Sequence, residues 1–123
     1  HAGGSVFNTA VALGRLGAPV QFFSGLSSDL FWAILREQLA ASKVDSTPAA
    51  ISDRPTTLAF VKLTDGHASY AFYDENTAGR MLTESDLPSD TADALFFGGI
   101  SLVVERCGAV RKCAHTVYSD WQP

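Results

Sequence analysis

Residues 3–20 read GGSVFNTAVALGRLGAPV, in which a glycine pair precedes a helical pattern and a short apolar strand. Glycines tolerate positive φ angles and let the backbone approach a ligand closely. Asn8 follows in the first turn of the predicted helix, where its amide offers donors and an acceptor to a hydroxyl group. The pattern therefore predicts a polyol-binding turn formed by Gly3, Gly4 and Asn8. The alternative is a helix-entry turn in which Asn8 is satisfied locally.

The residues after this turn predict the first half of an α/β unit. Ser5 is the expected N-cap of the first helix, Gly17 is expected to end it, and Pro19 prevents its continuation. Residues 20–23 form a short apolar run that predicts a strand. Small and apolar residues recur at helical spacing and predict the buried face, at Val6, Ala10, Leu13 and Gly17.

A second helix is expected to run from Asp29, as its N-cap, to about Ser42. Arg36 and Glu37 belong to its solvent side. The alternation of strand and helix implies a βαβ opening with a parallel sheet and right-handed crossovers, to which residues 94–97 return. The apolar arc of this helix comprises Leu30, Phe31, Ile34, Leu35 and Leu39.

The middle of the chain predicts a β-hairpin. Residues 57–63 and 68–74 are β-prone runs on either side of a turn that contains Asp65-Gly66, a strong hairpin signal. Both faces of the first run carry apolar residues, so we expect both faces to be covered. His67 beside the turn is expected to be a solvated loop residue and not a catalytic one.

In this order the motifs resemble the PfkB (ribokinase-like) carbohydrate kinases, and fructokinase-like members fit best. The glycine pair, the Asn and a small-residue helix ending in Arg-Leu-Gly are similar to the first signature of that family. The resemblance covers residues 3 to about 102. Its further parts are a turn at 27–31, two lid strands at 55–60 and 70–73, and a return to the sheet at 82–88 and 94–101.

The resemblance implies a ribokinase-like α/β fold, with a truncated parallel-sheet layer and a projecting β lid. Residues 1–123 would be one partial PfkB domain, with the lid at about 47–76 and a tail at 103–123 of unclear relationship. The implied activity is ATP-dependent phosphorylation of a neutral sugar, with ATP and Mg²⁺ as cofactors. Some family members pair their lids, which implies a possible homodimer.

The family's catalytic Asp and phosphate-binding turn lie in a Gly-Ala-Gly-Asp sequence, which does not occur in this chain. Such a turn provides backbone N–H groups for the phosphate, while the Asp accepts the proton of the sugar hydroxyl. We therefore expect no catalytic residue and no ATP site within these 123 residues. The alternative function is a non-catalytic fragment that binds sugar weakly or dimerises through its lid.

The resemblance also selects residues of the lid. In similar 2-keto-3-deoxygluconate kinases an aromatic residue and an Arg contact the substrate, and the matching positions are Phe72 and Asp74. An Asp would repel a carboxylate, which favours a neutral sugar such as fructose over a sugar acid. The alternative is a core aromatic and a solvated turn residue. Asp29 matches the family's Gly-Asp-Asp turn, with a role as a helix cap or as a ligand.

Composition excludes several classes of function. The 123 residues carry a net charge of −4, which gives no support for nucleic-acid binding. No apolar run approaches the length of a membrane helix and no secretory signal is apparent, so the expected location is cytoplasmic. Cys107 and Cys113 are expected to be free thiols. A change of reading frame or a genuine variant would each explain the tail that contains them.

Overall fold

The computed structural model describes residues 1–89 and 92–98. None of the helices in this described part is long and apolar enough to cross a membrane. The elements follow in the order α1 (Ser5–Arg15), β1 (Val20–Gln21), β2 (Gly25–Ser27), α2 (Phe31–Ala41), β3 (Val44–Asp45), β4 (Ala50–Ser52), β5 (Leu58–Thr64), β6 (His67–Tyr73) and a 3₁₀ turn (Glu84–Asp86).

The parallel α/β opening that the sequence predicts is present. β1 pairs with β3 and β2 pairs with β4, both in parallel, and α2 makes the crossover between the two halves. Val20 lies opposite Val44 and Gly25 lies opposite Ala50, so the second half contains one more residue than the first between the two pairings. The carboxylate of Asp45, which accepts hydrogen bonds from the backbone and hydroxyl of Thr47, shapes the loop that holds this extra residue.

The core lies between the two helices and the parallel strands. The ring of Phe7 on α1 meets that of Phe22 edge to face, with 5.7 Å between the ring centroids. Leu39 on α2 is fully buried. Such burial supplies most of the favourable free energy of folding. The buried cluster comprises Phe7, Ala10, Val11, Phe22, Leu26, Leu39 and Val44.

The buried face of α1 differs from the predicted one. Leu13, predicted to be inside, is 40% exposed. The helix turns a different face inward because Gly14 lets its backbone approach the end of α2. A Cβ on Gly14 would lie 2.2 Å from the carbonyl oxygen of Ser42, a contact that no larger residue permits. The inward stripe is Phe7, Ala10, Val11 and Gly14.

The two ends of α1 are set by glycines. Gly4, with φ of 111°, is the N-cap, so the helix already includes Ser5, and the predicted Ser5 cap is wrong. Gly17, with φ of 87°, ends the helix as predicted. The N–H of Ala18 bonds to the carbonyl of Leu13 at 3.1 Å, which completes a Schellman motif.

α2 begins two residues after Asp29, with Leu30 as its N-cap residue. The Asp29 Oδ1 nonetheless accepts the N–H of Phe31 at 2.9 Å, so Asp29 does contribute a capping bond. The predicted apolar arc is only partly correct, because Leu30 and Ile34 are 75% and 47% exposed. The helix instead packs against the core through Trp32, Leu35 and Leu39, which are spaced by three and four residues.

β5 and β6 form a separate antiparallel hairpin, as predicted, from Leu58 opposite Tyr73 to Thr64 opposite His67. Its turn residues Asp65 and Gly66 have φ of 51° and 81°. The expectation that both faces are covered is wrong, because every residue of β6 is exposed. Among the described elements, the two strands have extensive contact only with each other.

Residues 94–97 are not a strand, contrary to the prediction. They have no regular secondary structure, and Leu95 and Phe96 are 46% and 58% exposed. A strand needs a hydrogen-bonded neighbour, and no described strand pairs with this segment. The segment does reach the α/β layer, since a Cβ on Gly98 would lie 3.5 Å from the side chain of Val6. Cys107 and Cys113 lie outside the described residues.

Candidate functional site

The predicted binding turn lies at the N-terminus of α1 and is open. Gly3 and Gly4 are exposed, and a Cβ on either would have no atom within 4 Å. The N–H of Asn8 bonds to the carbonyl of Gly4 at 2.8 Å, which places the Asn8 side chain in the first turn. That side chain is exposed and forms no hydrogen bond with another described residue. Local satisfaction of Asn8, the alternative interpretation, is therefore not found in the described part of the chain.

The same turn offers backbone donors. α1 has no side-chain cap, and the first N–H groups of any helix have no partner within the helix. These N–H groups and the Asn8 amide are neutral and directional, which suits the hydroxyl groups of a polyol. Positive φ at Gly4 produces this arrangement, because the chain enters the helix without a side chain that would cover its end.

The hairpin carries Phe72 on its more apolar face. The strand register places Ala59 opposite Phe72 and Val61 opposite Tyr70. The rings of Phe72 and Tyr70 stack with 6.0 Å between their centroids, and Phe72 is 56% exposed. Among the described elements, the hairpin strands have extensive contact only with each other and not with α1, so the structure does not bring Phe72 and Asn8 together.

The opposite face carries Phe60 and Tyr73, whose rings meet edge to face at 5.4 Å. Phe72 and Tyr73 thus lie on different faces, as their alternation along the strand predicts. The core-aromatic alternative for Phe72 does not hold, since the residue is exposed.

Asp74, at the end of β6, is not the isolated carboxylate that the sequence suggests. Its Oδ1 lies 3.0 Å from an Arg80 guanidinium nitrogen, and both side chains are partly buried. Arg80 compensates the charge of Asp74 at close range, which weakens the repulsion that Asp74 would exert on a carboxylate. The pairing of Arg80 with Asp74 has no sequence signal, because Arg80 lies beyond the lid strand and belongs to no motif.

Asp29 makes contacts that sequence reasoning missed. Its Oδ2 accepts the backbone N–H of Thr56 at 2.9 Å, and its Oδ1 accepts the Thr56 hydroxyl at 2.8 Å. Partial burial raises the pKa of the Asp29 carboxyl, but the hydrogen bonds from Thr56, Phe31 and Ser27 outweigh it and hold that pKa below its usual value. Asp29 is therefore ionised and committed to protein contacts. Only the Pro-Thr-Thr sequence before β5 could have suggested a partner.

A groove of about 290 Å³ lies between β4 and residues 78–86. Its acidic residue, Asp86, accepts hydrogen bonds from the hydroxyl and N–H of Thr83, which lower the pKa of that carboxyl. Within residues 1–89 and 92–98, no group of three or more His, Cys, Asp or Glu side chains could hold a metal ion. None of the predicted site residues lines this groove.

Comparison with known proteins identifies relatives of this α/β layer and hairpin. The sequence is 58% identical to a fructokinase of Rhizobium leguminosarum bv. trifolii over 110 residues, which cover 88% of this chain and 34% of that protein. The chain thus spans about a third of the length of the curated relatives it matches.

Two solved structures resemble the fold. A fructokinase of Xylella fastidiosa with bound ATP matches with a TM-score of 0.66 and 35% identity, over 72% of this chain and 28% of that one. A fructokinase of Vibrio cholerae O395, in a form with bound fructose, ADP and calcium, matches with a TM-score of 0.74 and 24% identity, over 94% and 39%. The second likeness shows the fold alone.

The profile of the pfkB family carbohydrate kinases matches residues 1–119, which extends past residue 102, where the recognisable motifs end. With the ribokinase-like arrangement of parallel strands, helices and separate hairpin, this match over nearly the whole chain shows that the protein belongs to the pfkB family of carbohydrate kinases.

Proposed function

We propose that this chain forms the sugar-binding and lid part of a fructokinase-like enzyme, which transfers a phosphoryl group from ATP to a neutral sugar. The observation that carries the proposal is the Asn8 amide, exposed and without a protein partner among the described residues, beside the uncapped N-terminus of α1. The similarity to a Rhizobium fructokinase supports fructose as the first sugar to test.

In this proposal Gly3, Gly4 and Asn8 bind sugar hydroxyl groups. The glycines give the sugar access to the backbone N–H groups, and Asn8 orients one hydroxyl by donating to it or accepting from it. Phe72 lies on the lid, which comprises residues 47–76, and would pack its ring against the sugar when the lid covers the site. An aromatic ring with half its surface exposed is suited to such a contact.

ATP and Mg²⁺ are the proposed cofactors of the complete kinase, and their binding residues are proposed to lie outside this chain. When bound, they would supply the phosphoryl group and stabilise its charge. The described residues bind and orient the sugar, and none is assigned a catalytic role. In accordance with this division, the isolated chain should release no ADP above a blank when it is given ATP, Mg²⁺ and fructose, glucose or ribose.

A second candidate function is favoured by the hairpin. Both of its faces expose aromatic and aliphatic side chains, which is typical of surfaces that meet a ligand or another protein. The isolated chain would then be a non-catalytic module that binds sugar weakly or forms a homodimer through its lid. Sedimentation should show whether the chain is a monomer or a dimer. If it dimerises through its lid, Val61→Lys should reduce the dimer fraction, because it places a charge on the apolar face.

The main proposal is tested in a kinase completed with the C-terminal part of the Rhizobium fructokinase. That protein should phosphorylate fructose, and Asn8→Ala should raise the KM for fructose about fivefold or more, because one sugar hydrogen bond is worth about 1 kcal/mol. Gln38→Ala, which truncates another helix amide, is the control and should leave KM unchanged. Equal KM values for both variants would remove Asn8 from the site, and a preference for a sugar acid would contradict the neutral substrate.

A further inference from the structure

The two ends of the hairpin meet in what we call the hairpin base, residues 55–57 and 77–78. The hydroxyl of Thr57 donates to the hydroxyl of Thr77 at 2.9 Å, and Thr77 in turn donates to the carbonyl of Asp74 at 2.9 Å. The N–H of Ala78 bonds to the carbonyl of Pro55 at 3.0 Å. These bonds join the chain entering the hairpin to the chain leaving it, so the base is closed on itself.

The hairpin base meets the α/β layer at two points of different kind. The first is polar and directional, because Asp29 at the start of α2 binds both the N–H and the hydroxyl of Thr56. The second is steric, because Gly25 of β2 lies so close that a Cβ on it would be 2.0 Å from the carbonyl oxygen of Ala78. Beyond the base, β5 and β6 have extensive contact only with each other among the described elements.

The orientation of the hairpin relative to the layer is therefore set at its base. We propose that Asp29 is a positioning residue, which holds the lid in register with the sugar site by binding Thr56 across 27 residues of sequence. This inference rests on the proposed function only where it calls the hairpin a lid and the layer a sugar site. The contact between Asp29 and Thr56 stands independently of it.

Asp29 is suited to this role because it serves two elements with one carboxylate. Oδ1 accepts from Phe31 at the start of α2 and from the Thr56 hydroxyl, while Oδ2 accepts the Thr56 N–H. A movement of the hairpin base would break bonds to an ionised acceptor, which are stronger than bonds between neutral groups. The helix start and the lid entry are thus linked through a single side chain.

Two exchanges separate this role from helix capping alone. Asp29→Asn keeps an oxygen for Phe31 but turns an NH₂ group toward the Thr56 N–H, where two donors face each other. Thr56→Val removes the hydroxyl contact without touching α2, and Thr56→Ser restores it. Asp45→Asn is the matched control, because Asp45 also accepts the N–H and hydroxyl of a threonine two residues on, but within its own loop.

The test is amide hydrogen exchange of the 123-residue chain, read by mass spectrometry for Thr56 and Ala78 in the hairpin base and for the α2 amides after its first turn. We expect Asp29→Asn to raise exchange at Thr56 and Ala78 about tenfold or more, because the variant loses a bond to an ionised acceptor, which is stronger than a bond between neutral groups. The α2 amides should keep their protection. Thr56→Val should act in the same direction, and Thr56→Ser and Asp45→Asn should resemble the unchanged chain.

The proposal would be overturned if Asp29→Asn and Asp45→Asn gave the same exchange at Thr56 and Ala78. Opening of α2 together with the base would also overturn it, because it would reduce Asp29 to a cap. If Asp29→Asn unfolds the whole chain, the comparison of Thr56→Val with Thr56→Ser decides, and equal exchange in those two contradicts the role.

The completed kinase supplies a second readout. Asp29→Asn should raise the KM for fructose severalfold and change kcat less than twofold, because a displaced lid weakens sugar binding without altering the reacting groups. An unchanged KM in an active kinase would remove Asp29 as a lid-positioning residue. A completed kinase that phosphorylates no sugar at all, with exchange behaving as expected, would contradict the proposed function and leave the contact between α2 and the lid in place.

Discussion

The α/β layer and the hairpin contain the same kind of aromatic pair in opposite surroundings. Phe7 and Phe22 meet edge to face at 5.7 Å, and Phe60 and Tyr73 meet edge to face at 5.4 Å. The first two residues are 5% and 6% exposed, whereas the second two are 60% and 62% exposed. The ring geometry of such a pair is worth only about 0.5–1.5 kcal/mol beyond burial.

The comparison shows which part of the molecule holds the fold and which part is available for binding. Burial of apolar surface, about 25 cal/mol for each Å², stabilises the layer and not the exposed hairpin faces. The apolar side chains of the hairpin therefore add little burial to the stability of the described chain, which is typical of a surface that meets a ligand or partner.

The largest effect that tests this comparison is expected from a pair of leucines. Leu39→Ala should lower the free energy of unfolding by about 2–5 kcal/mol, because Leu39 is fully buried on α2 and its removal leaves a cavity. Leu63→Ala, at a position 71% exposed on β5, should change it by less than about 0.5 kcal/mol. Urea denaturation measures both. Similar losses in the two variants would show that the hairpin is part of the core.

A smaller loss of stability is expected where the backbone of α1 approaches the end of α2. Gly14→Ala should lower the free energy of unfolding by about 1–3 kcal/mol, because the added Cβ would overlap the Ser42 carbonyl and force α1 away from the end of α2. Gly3→Ala is the control, since a Cβ there meets nothing within 4 Å. A stable Gly14→Ala chain would mean that the close approach of the two helices is not required.

The smallest effect is expected in acid. Hydrogen bonds from Thr47 lower the pKa of Asp45, as those from Thr56 outweigh partial burial and lower the pKa of Asp29. A lowered pKa contributes stability that is present above the usual Asp pKa of about 3.9 and is lost as the pH falls through the folded value. The protection of the Thr56 amide, which is its exchange rate compared with the intrinsic rate at the same pH, should therefore fall below about pH 4. If the Thr56 amide loses its protection in acid in the Asp29→Asn variant as it does in the unchanged chain, the acid dependence belongs to a group other than Asp29.

How much the sequence predicts differs between the two regions. The sequence predicts both strands of the hairpin to within one residue at each end. It can do so because the turn depends on two neighbouring residues, Asp65 and Gly66, which both adopt positive φ, and few residue pairs tolerate that conformation. The sequence does not predict that the hairpin is exposed. Apolar residues on both faces of a strand indicate burial, and the sequence does not show that no other element covers them.

In the layer, the sequence predicts the helix spans, but it predicts the buried faces only in part, at Ala10 on α1 and at Leu35 and Leu39 on α2. Val6 and Leu13 fit a helical stripe as well as Phe7 and Gly14 do, and only the approach of Ser42 to Gly14 selects the second. The same limit applies to the site. Asn8 could be proposed from its neighbours in sequence, but the link from Asp29 to Thr56 spans 27 residues and has no local signal.

The most direct test of the account is a fructose titration of the completed kinase, followed by the ¹⁵N resonances of Gly3, Gly4 and the Asn8 side-chain amide. We expect saturable shifts of all three resonances, whereas the resonance of the Gln38 side-chain amide should not move. Saturable fructose binding that leaves all three resonances in place would contradict the central claim, because the sugar would then bind away from the open turn of α1.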